Sequence, residues 1–364
     1  MRFMKMNHMV SLGLMLCSSV LFAENISIIG TVEQKIQLNH MPNKANGVVS
    51  NNKVLSKTID LINVQLSDAA QQTLYQRVTQ LLQPTSGFGA SVEPISGARS
   101  VQLGMNNVPV LDQGQHGSCV TFSVTAAYDA ALNKGDYISQ LCLLQLGSYL
   151  ENNNNEYSGW NGLWGDMALE RIDNYGIINM TNQKKYGCGG LQEYPLWSTP
   201  RTDMSPDEYA QYSEKMADAG VTWEKLFSVD NFTSDTNEMN QKLHSVKTAL
   251  KAGHRVTFGV LLPRTDLGTV GADAWHNWFA DTWVLSYDIA KALETATSLP
   301  AHELLIIGYD DDAVAMDSWG HRHHGLLRLR NSWGSGVADW GDFYMSYDYF
   351  KVLALEAYSI KKIS

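Results

Sequence analysis

The chain has 364 residues, a formal net charge of −10 at pH 7 and a sequence pI of about 5.4. Its length exceeds that of a typical single domain, and its 44% hydrophobic content can supply a sizeable core. This acidic balance is the opposite of the basic surface that nucleic-acid-binding proteins present, so we expect no nucleic-acid partner.

The first 23 residues predict a secretory signal peptide. Arg2 and Lys5 give a positive start, and residues 9–22 form an apolar run that is too short for a comfortable transmembrane helix. Ala23 is a plausible residue before the cut. The alternative is an uncleaved membrane anchor. Because the sequence has no other stretch that could span a bilayer, we expect a secreted protein without stable membrane association.

Residues 24–95 predict a separate module. Residues 25–32 and 54–66 show the alternation typical of strands, with a polar, turn-rich segment between them. Ser67 and Asp68 then form a helix N-cap signal, and a stripe of apolar residues follows at helical spacing. That stripe comprises Ala70, Leu74, Val78, Leu81 and Leu82. Residues 84–100 are rich in Pro and Gly and predict a linker.

A cysteine stands at the start of the next predicted helix. Cys119 follows Gly117 and Ser118 and lies at the start of a predicted helix of small, apolar residues over residues 118–132. A helix N-terminus favours the thiolate, which is the nucleophilic form of cysteine. Gln113, six residues upstream, carries a side-chain amide that can hold a developing oxyanion. The alternative interpretation is an inert, buried cysteine.

Residues 113–123, with the pattern Gln-Gly-x-x-Gly-Ser-Cys-x-x-Phe-Ser, resemble the active-site segment of the papain family of cysteine peptidases. The resemblance implies Cys119 as nucleophile and Gln113 as oxyanion-hole donor. It also implies an α+β, two-lobed papain-like fold, a helical lobe plus a β-barrel-like lobe, over residues 96–364. His116 stands where the family usually has a half-cystine, and Val120 where it usually has Trp.

Two later segments extend the resemblance. His302 precedes an apolar run ending in Gly308 and Tyr309, similar to the family's histidine at the start of a strand. Residues 331–334, Asn-Ser-Trp-Gly, match the family's Asn-Ser-Trp-Gly. The resemblance implies His302 as general base and acid, with Asn331 holding its ring. Trp333 is implied to shield the histidine and to contribute to substrate binding. His276 is the competing candidate for the base.

Residues 159–165 resemble the family's Gly-Cys-Asn-Gly-Gly loop, whose backbone pairs with extended substrate. This implies Gly162 and Leu163 as substrate-binding residues. Trp160 replaces a half-cystine and Leu163 a glycine, so we expect a bulkier rim. With His116 also replacing a half-cystine, both halves of one family disulfide are absent together.

The remaining cysteines suggest one disulfide. Removal of the signal peptide removes Cys17 and leaves Cys119, Cys142 and Cys188. In an exported protein an odd count suggests one free thiol and one bridge, most simply Cys119 free and Cys142 bonded to Cys188. The alternative is that all three are reduced. Papain-like enzymes usually carry a disulfide whose half-cystines fall at about these two positions.

The family resemblance also gives the N-terminal module a meaning. Papain-like enzymes are usually made as zymogens with a prosegment across the cleft, so residues 24–95 are expected to be an inhibitory propeptide. They lack the long helical pattern of the commonest prosegments, which leaves an accessory domain that is never removed as the alternative. Residues 191–245 match the family poorly and predict an insertion on the cleft rim or an outer face, with a helix over 207–219.

Residues 310–325 predict a solvated hairpin between the two catalytic segments. Asp310, Asp311 and Asp312 could bind a cation there, and His321, His323 and His324 a transition metal, although neither cluster has a fixed ligand spacing.

Together these features predict an exported cysteine peptidase that cleaves protein or peptide substrates through a Cys-His-Asn triad and an acyl-enzyme. We expect a monomer that needs neither a cofactor nor a metal. Two alternatives remain open. One is an amidase or transamidase on the same fold, and the other is a catalytically silent protein that only binds partners.

Overall fold

A computed structural model describes residues 25–39, 55–81, 98–263 and 271–363. The predicted signal peptide at residues 1–23 and most of the predicted linker lie outside these ranges. Within them, no helix is both long enough and apolar enough to cross a membrane.

Helices and strands alternate irregularly along the chain. The helices are α1 (Asp68–Leu81), α2 (Cys119–Leu132), α3 (Gln140–Asn154), α4 (Gly165–Tyr175), α5 (Met180–Tyr186), α6 (Pro206–Ala210), α7 (Thr236–Lys251), α8 (Tyr287–Leu293) and α9 (Tyr347–Leu353). The strands are β1 (Ile26–Gln37), β2 (Ser56–Leu66), β3 (Ser100–Gln102), β4 (Val221–Phe227), β5 (Arg255–Leu261), β6 (Ala274–Trp275), β7 (Thr282–Trp283), β8 (Ser298–Asp317), β9 (Arg322–Arg330), β10 (Asp342–Ser346) and β11 (Ala354–Lys362).

The expected α+β class and its two lobes are confirmed. Helices α2 to α5 follow one another and form the helical lobe, whereas most of the strands come later and form one sheet. Helix α2 is buried along almost its whole length. It ends at Asn133, whose φ of 57° is the left-handed conformation that commonly closes helices. This buried helix fixes the position of Cys119 at its first turn.

The long strand β8 organises the β-rich lobe. Its first half pairs with β5, which continues through β11 to the edge strand β4. Its second half pairs with β6 and β9, and β6, β7, β10 and β9 complete a closed circuit of paired strands. The lobe therefore combines an open sheet with a small barrel. His302 lies in the first half of β8, opposite Val260 of β5.

The predicted strands and helix of the N-terminal module are confirmed as β1, β2 and α1, but the module is not separate. Strands β1 and β2 pair in register from Ile26 and Leu66 to Gln37 and Ser56, and we call this pair the N-terminal hairpin. Strand β2 then pairs with the start of β8. Most of the described aliphatic side chains of the hairpin and α1 are buried in the same core as the two lobes. Strand pairing therefore merges the module with the β-rich lobe.

The prediction of a helix over residues 207–219 is wrong beyond Ala210. Helix α6 covers only Pro206–Ala210, because Glu214 leaves the helical path to exchange two backbone hydrogen bonds with Ile177. Strand β4 and the first part of helix α7 also lie within the predicted insertion at 191–245. Since β4 pairs with β11, this part of the segment belongs to the main sheet.

Candidate active site

Helix α2 begins at the junction of the two lobes and carries Cys119 there. The residue is fully buried, and its Sγ accepts hydrogen bonds from the backbone N–H groups of Glu303 and Val120. Glu303 follows His302 on β8. The thiol from the helical lobe therefore lies against the strand that carries the predicted base.

His302 and Asn331 form the contact that the sequence predicts. His302 Nε2 lies 2.8 Å from Asn331 Oδ1, which also accepts a 2.7 Å hydrogen bond from the Ser332 backbone N–H. Because Oδ1 is thereby identified as an acceptor, His302 Nε2 carries its hydrogen. The other ring nitrogen, Nδ1, is buried and has no hydrogen-bond partner among the described residues. Nδ1 is therefore the atom available to accept a proton.

Trp333 covers the imidazole. Its indole stacks on His302 with ring centroids 4.6 Å apart and an interplanar angle of 26°. Trp333 is itself buried and packs edge-on against Trp283 and Phe343. This packing fixes the orientation of the His302 ring and keeps water from its face.

Two hydrogen bonds fix the orientation of the Gln113 side-chain amide. Ser332 Oγ donates to Gln113 Oε1 at 2.7 Å, and Gln113 Nε2 donates to the His116 carbonyl at 2.6 Å. The side-chain amide has a second N–H, which these contacts do not use. These two contacts thereby fix the orientation of the whole Gln113 amide.

Burial sets the protonation of the pair. Desolvation raises the pKa of Cys119 to about 12, despite the hydrogen bonds from Glu303 and Val120 that lower it. Desolvation also lowers the pKa of His302 to about 4. The thiolate expected from the helix N-terminus is therefore absent at neutral pH, because loss of water outweighs the local dipoles.

Aromatic rings pack together where the family resemblance would place a disulfide. His116 and Trp160, the two residues that replace half-cystines, meet edge to face with ring centroids 4.9 Å apart. Tyr194 stacks on Trp160, and its hydroxyl donates to the Gln113 carbonyl at 2.9 Å. Tyr194 also lies 3.0 Å from Ser118 Oγ. The sequence offers no signal for this function of Tyr194, which lies in the poorly matching segment.

The side chains of the loop at residues 159–165 do not form the bulky rim that we expected. Trp160 and Leu163 are both almost completely buried, with Leu163 packed beside Thr121 and Val124 of helix α2. Gly162 has a φ of +113°, which glycine tolerates best. A Cβ there would lie 3.1 Å from Ile28 and 3.2 Å from Ile62 of the N-terminal hairpin.

The N-terminal hairpin spans the two lobes over this site. On the helical side, Thr31 approaches Gly117 so closely that a Cβ there would lie 2.6 Å from the Thr31 methyl group. Lys57 forms an ion pair with Asp112 and also donates to the Trp333 carbonyl at 3.3 Å. On the β side, β2 pairs with β8 up to Ala301, the residue before His302. The hairpin thus covers the candidate active site.

The predicted division into one disulfide and one free cysteine is confirmed. Cys142 at the start of α3 forms a disulfide with Cys188, with their Cα atoms 5.0 Å apart, and Cys119 is free.

The competing histidine and the predicted cation clusters have other contacts. His276 packs on Tyr344 with ring centroids 4.6 Å apart. Asp311 is paired with Lys247, and Asp312 with Arg99. His323 lies 3.1 Å from Asp348. No set of three or more His, Cys, Asp or Glu side chains suited to a metal ion occurs in the part of the chain that the structure describes.

Comparisons with known proteins give structural matches only. No family model matches the chain, and no curated protein matches its sequence. Xylellain, a cysteine protease from Xylella fastidiosa, matches at 18% identity and a TM-score of 0.44, over 75% of this chain and 91% of its own. The chain is similar in fold to papain-like cysteine proteases.

Two further papain-like matches come from proforms. Digestive procathepsin L 3 of Tenebrio molitor larval midgut matches at 22% identity and a TM-score of 0.42, over 81% of this chain and 79% of its own. The proform of the ragweed pollen allergen Amb a 11, a cysteine protease, matches at 17% identity and 0.43, over 75% and 67%.

Proposed function

We propose that the protein is an exported cysteine peptidase that hydrolyses peptide bonds through Cys119, His302 and Asn331. One observation carries the proposal. A thiol at the N-terminus of a buried helix lies against the strand whose imidazole is held by an asparagine and covered by a tryptophan. A nucleophile, a base and a group that orients the base are the three parts of covalent acyl transfer.

The proposed reaction begins when His302 Nδ1 takes the proton from Cys119 and the thiolate attacks a peptide carbonyl. The negative oxygen is then held by the Cys119 backbone N–H and the free amide hydrogen of Gln113. His302 gives its proton to the leaving amine, and an acyl-enzyme remains. Water that His302 deprotonates then hydrolyses the thioester and restores the free thiol.

We further propose that residues 24–95 are an inhibitory propeptide. The hairpin's contacts with both lobes support this interpretation, because they hold it against Gly117 and Asp112 on the helical side and against Ala301 on the β side. Both Cys119 and His302 are buried in this covered state, and burial is the reason that they are neutral. Removal of the hairpin would rehydrate the pair and lower the pKa of the thiol. Substrate contacts by Gly162, Leu163 and Trp333 belong to this uncovered state.

The test of the peptidase compares two variants on the same helix. Cys119→Ala should abolish casein hydrolysis by the activated protein, while circular dichroism shows an unchanged fold. Ser123→Ala, one turn later and also buried, is the matched control and should keep the activity. Equal hydrolysis by Cys119→Ala would contradict the proposal. Cleavage of cell-wall peptides but not casein would instead favour an amidase on the same fold.

N-terminal sequencing of the active species tests the propeptide. After mild acidification or limited proteolysis, a new start within residues 85–105 is expected. An active species that still begins near residue 24 would contradict the zymogen and leave the accessory-domain alternative.

A further inference from the structure

Tyr194 reaches the active-site segment, residues 113–119, from the predicted insertion at 191–245. Its hydroxyl oxygen lies 2.9 Å from the Gln113 carbonyl oxygen and 3.0 Å from Ser118 Oγ, and both of these residues are completely buried. A carbonyl oxygen can only accept, so the single hydroxyl hydrogen of Tyr194 is donated to Gln113. Ser118 must therefore donate to Tyr194. One hydroxyl group thus connects the two ends of the active-site segment.

The Ser118 hydroxyl is used for this contact rather than for capping helix α2. Ser118 is the N-cap residue of α2, a position where a serine side chain commonly accepts a hydrogen bond from a backbone N–H of the first turn. In the described structure of this helix its side chain makes no such bond. The contact with Tyr194 takes its place and restrains the residue directly before Cys119.

Aromatic packing fixes the ring that carries the Tyr194 hydroxyl. The ring stacks on Trp160 with centroids 5.6 Å apart and an interplanar angle of 21°. His116 meets it edge-on at a centroid distance of 5.8 Å, and Phe122 of helix α2 does so at 5.1 Å. The ring is therefore held at once by the loop that carries Trp160 and by helix α2.

The two residues that follow along the chain add contacts to the same segment. The Pro195 carbonyl oxygen lies 2.7 Å from His116 Nε2. The Leu196 carbonyl accepts a 2.8 Å hydrogen bond from the Gln115 backbone N–H. This stretch of the predicted insertion therefore follows the active-site segment along its length.

The active-site segment depends on such contacts because its own sequence permits many backbone conformations. It contains Gly117 and Gly114, the latter with a φ of +64°, and glycine loses more conformational freedom on folding than any other residue. A disulfide between positions 116 and 160 is excluded, since they carry His and Trp. Noncovalent contacts therefore decide where the two ends of the segment lie.

The two ends of the segment carry the two donors of the proposed oxyanion hole, the Gln113 side-chain amide and the Cys119 backbone N–H. We propose that Tyr194 is a positioning residue that sets the separation of these donors through its hydroxyl group. The inference rests on the proposed peptidase function and names a further residue on which the reaction depends. Because Tyr194 acts through the donors and not on the substrate itself, its hydroxyl should affect kcat and leave KM nearly unchanged.

The test removes the hydroxyl and keeps the ring. In the full-length protein activated by limited proteolysis, Tyr194→Phe should lower kcat for a peptide amide about tenfold, the effect of one buried hydrogen bond, with KM within about twofold of the parent value. Tyr186→Phe is the matched control, because it removes the hydroxyl of an exposed tyrosine whose ring also stacks on an aromatic neighbour, Tyr212. This control should keep both constants.

Two chemical probes of Cys119 separate positioning from general damage to the site. A peptide aldehyde adds its carbonyl carbon to Sγ, and the carbonyl oxygen takes up the thiol proton and becomes a tetrahedral oxygen in the oxyanion hole. Iodoacetamide alkylates Sγ and releases iodide and a proton, and it forms no tetrahedral oxygen. Tyr194→Phe should raise the inhibition constant of the aldehyde about tenfold and leave the rate of alkylation unchanged.

A double-mutant cycle tests whether the hydroxyl acts through Gln113. In Gln113→Ala the side-chain donor is absent, so the addition of Tyr194→Phe should lower kcat only about threefold or less. The same loss in both backgrounds would overturn the proposal. So would an unchanged kcat in Tyr194→Phe, or an equal loss in the rate of alkylation, which would show a purely structural role.

Ser118→Ala is the second variant in case Tyr194→Phe does not fold. It removes the other hydroxyl of the pair, keeps the ring stack and should also lower kcat without slowing alkylation, and an unchanged kcat would contradict the proposal. Failure of the peptidase function would differ, because the activated parent protein would cleave no peptide. Calorimetric binding of the aldehyde then decides, with no binding to the parent, or equal affinities for the parent and Tyr194→Phe, overturning the positioning role.

Discussion

Burial affects the pKa of Cys119 more strongly than does the position of this residue at the helix N-terminus. The start of α2 offers Cys119 unpaired N–H groups, and the sequence therefore predicts a thiolate. In the covered protein the pKa of the thiol is about 12 because no water reaches it. The same desolvation lowers the pKa of His302 to about 4. The covered site thus holds a neutral thiol beside a neutral imidazole.

Asn331 should act on the rate through the orientation of His302. Asn331→Ala removes the acceptor of the 2.8 Å contact with Nε2, so the imidazole loses its preferred tautomer and angle. We expect kcat to fall by about 10–100-fold with a small change in KM, since the group orients the base without binding substrate.

Steady-state kinetics of activated Asn331→Ala tests this effect, with Asn237→Ala on the exposed face of α7 as control. An unchanged kcat in Asn331→Ala would show that Trp333 alone holds the ring.

At the scale of elements, a few contacts with the two lobes hold the N-terminal hairpin in place over the candidate active site. Lys57 joins both sides, since it pairs with Asp112 and donates to the Trp333 carbonyl. Its side chain is only 11% exposed, whereas that of Asp112 is 40% exposed, so solvent screens the ion pair in part.

Lys57→Ala should loosen the hairpin and raise the activity of the unprocessed protein by about fivefold, the effect of losing about 1 kcal/mol. Lys35→Ala, on the exposed side of the same hairpin, is the control. The assay is hydrolysis of a small fluorogenic peptide before any cleavage of the chain. Equal rates for both variants would mean that β2 pairing alone keeps the hairpin closed.

The sequence predicts best those elements whose residues carry a local signal. Helix α2 follows from its apolar content and Asn133, and the contact of His302 with Asn331 follows from two recognisable segments. The end of α6 does not, because a distant backbone partner, Ile177, competes with the helix at Glu214. The sequence also gives no sign that Glu303 and Glu356 lie close together, since only the register of strands β8, β5 and β11 brings them to the same place.

At the scale of the whole molecule, the N-terminal module is part of the core. Helix α1 packs against α9, and its Arg77 is almost fully buried, with Nη1 donating to the Val352 carbonyl at 2.9 Å. The aromatic ring of Phe232 lies 3.8 Å from the Arg77 guanidinium. The module therefore reaches from the active site to the back of the β-rich lobe. The sequence predicts its elements but not this attachment, which depends on long-range contacts.

The buried acids should make the fold more stable in mild acid. The pKa of Glu356 is raised from its usual 4.5 to about 7, mainly by desolvation. Since the folded state binds the proton more tightly than the unfolded state, this stabilisation is complete below pH 4.5 and is lost as the pH rises to about 7.

Thermal unfolding between pH 4.5 and 8 tests this sign. Glu356→Gln removes the titration, so its stability relative to the parent protein should increase by about 3 kcal/mol across the interval. Glu294→Gln, at the exposed end of α8, should show no such trend. A relative stability of Glu356→Gln that is flat with pH would contradict the raised pKa.

We propose that Cys119 is a peptidase nucleophile that the N-terminal hairpin holds inactive. Labelling with an epoxysuccinyl inhibitor, followed by peptide mapping, tests it most directly. We predict negligible labelling of the unprocessed chain at pH 7. After processing, we predict one label on Cys119, none on Cys142 or Cys188, and loss of activity in proportion to the label. Labelling of another residue, or full labelling of Cys119 without loss of activity, would contradict the account.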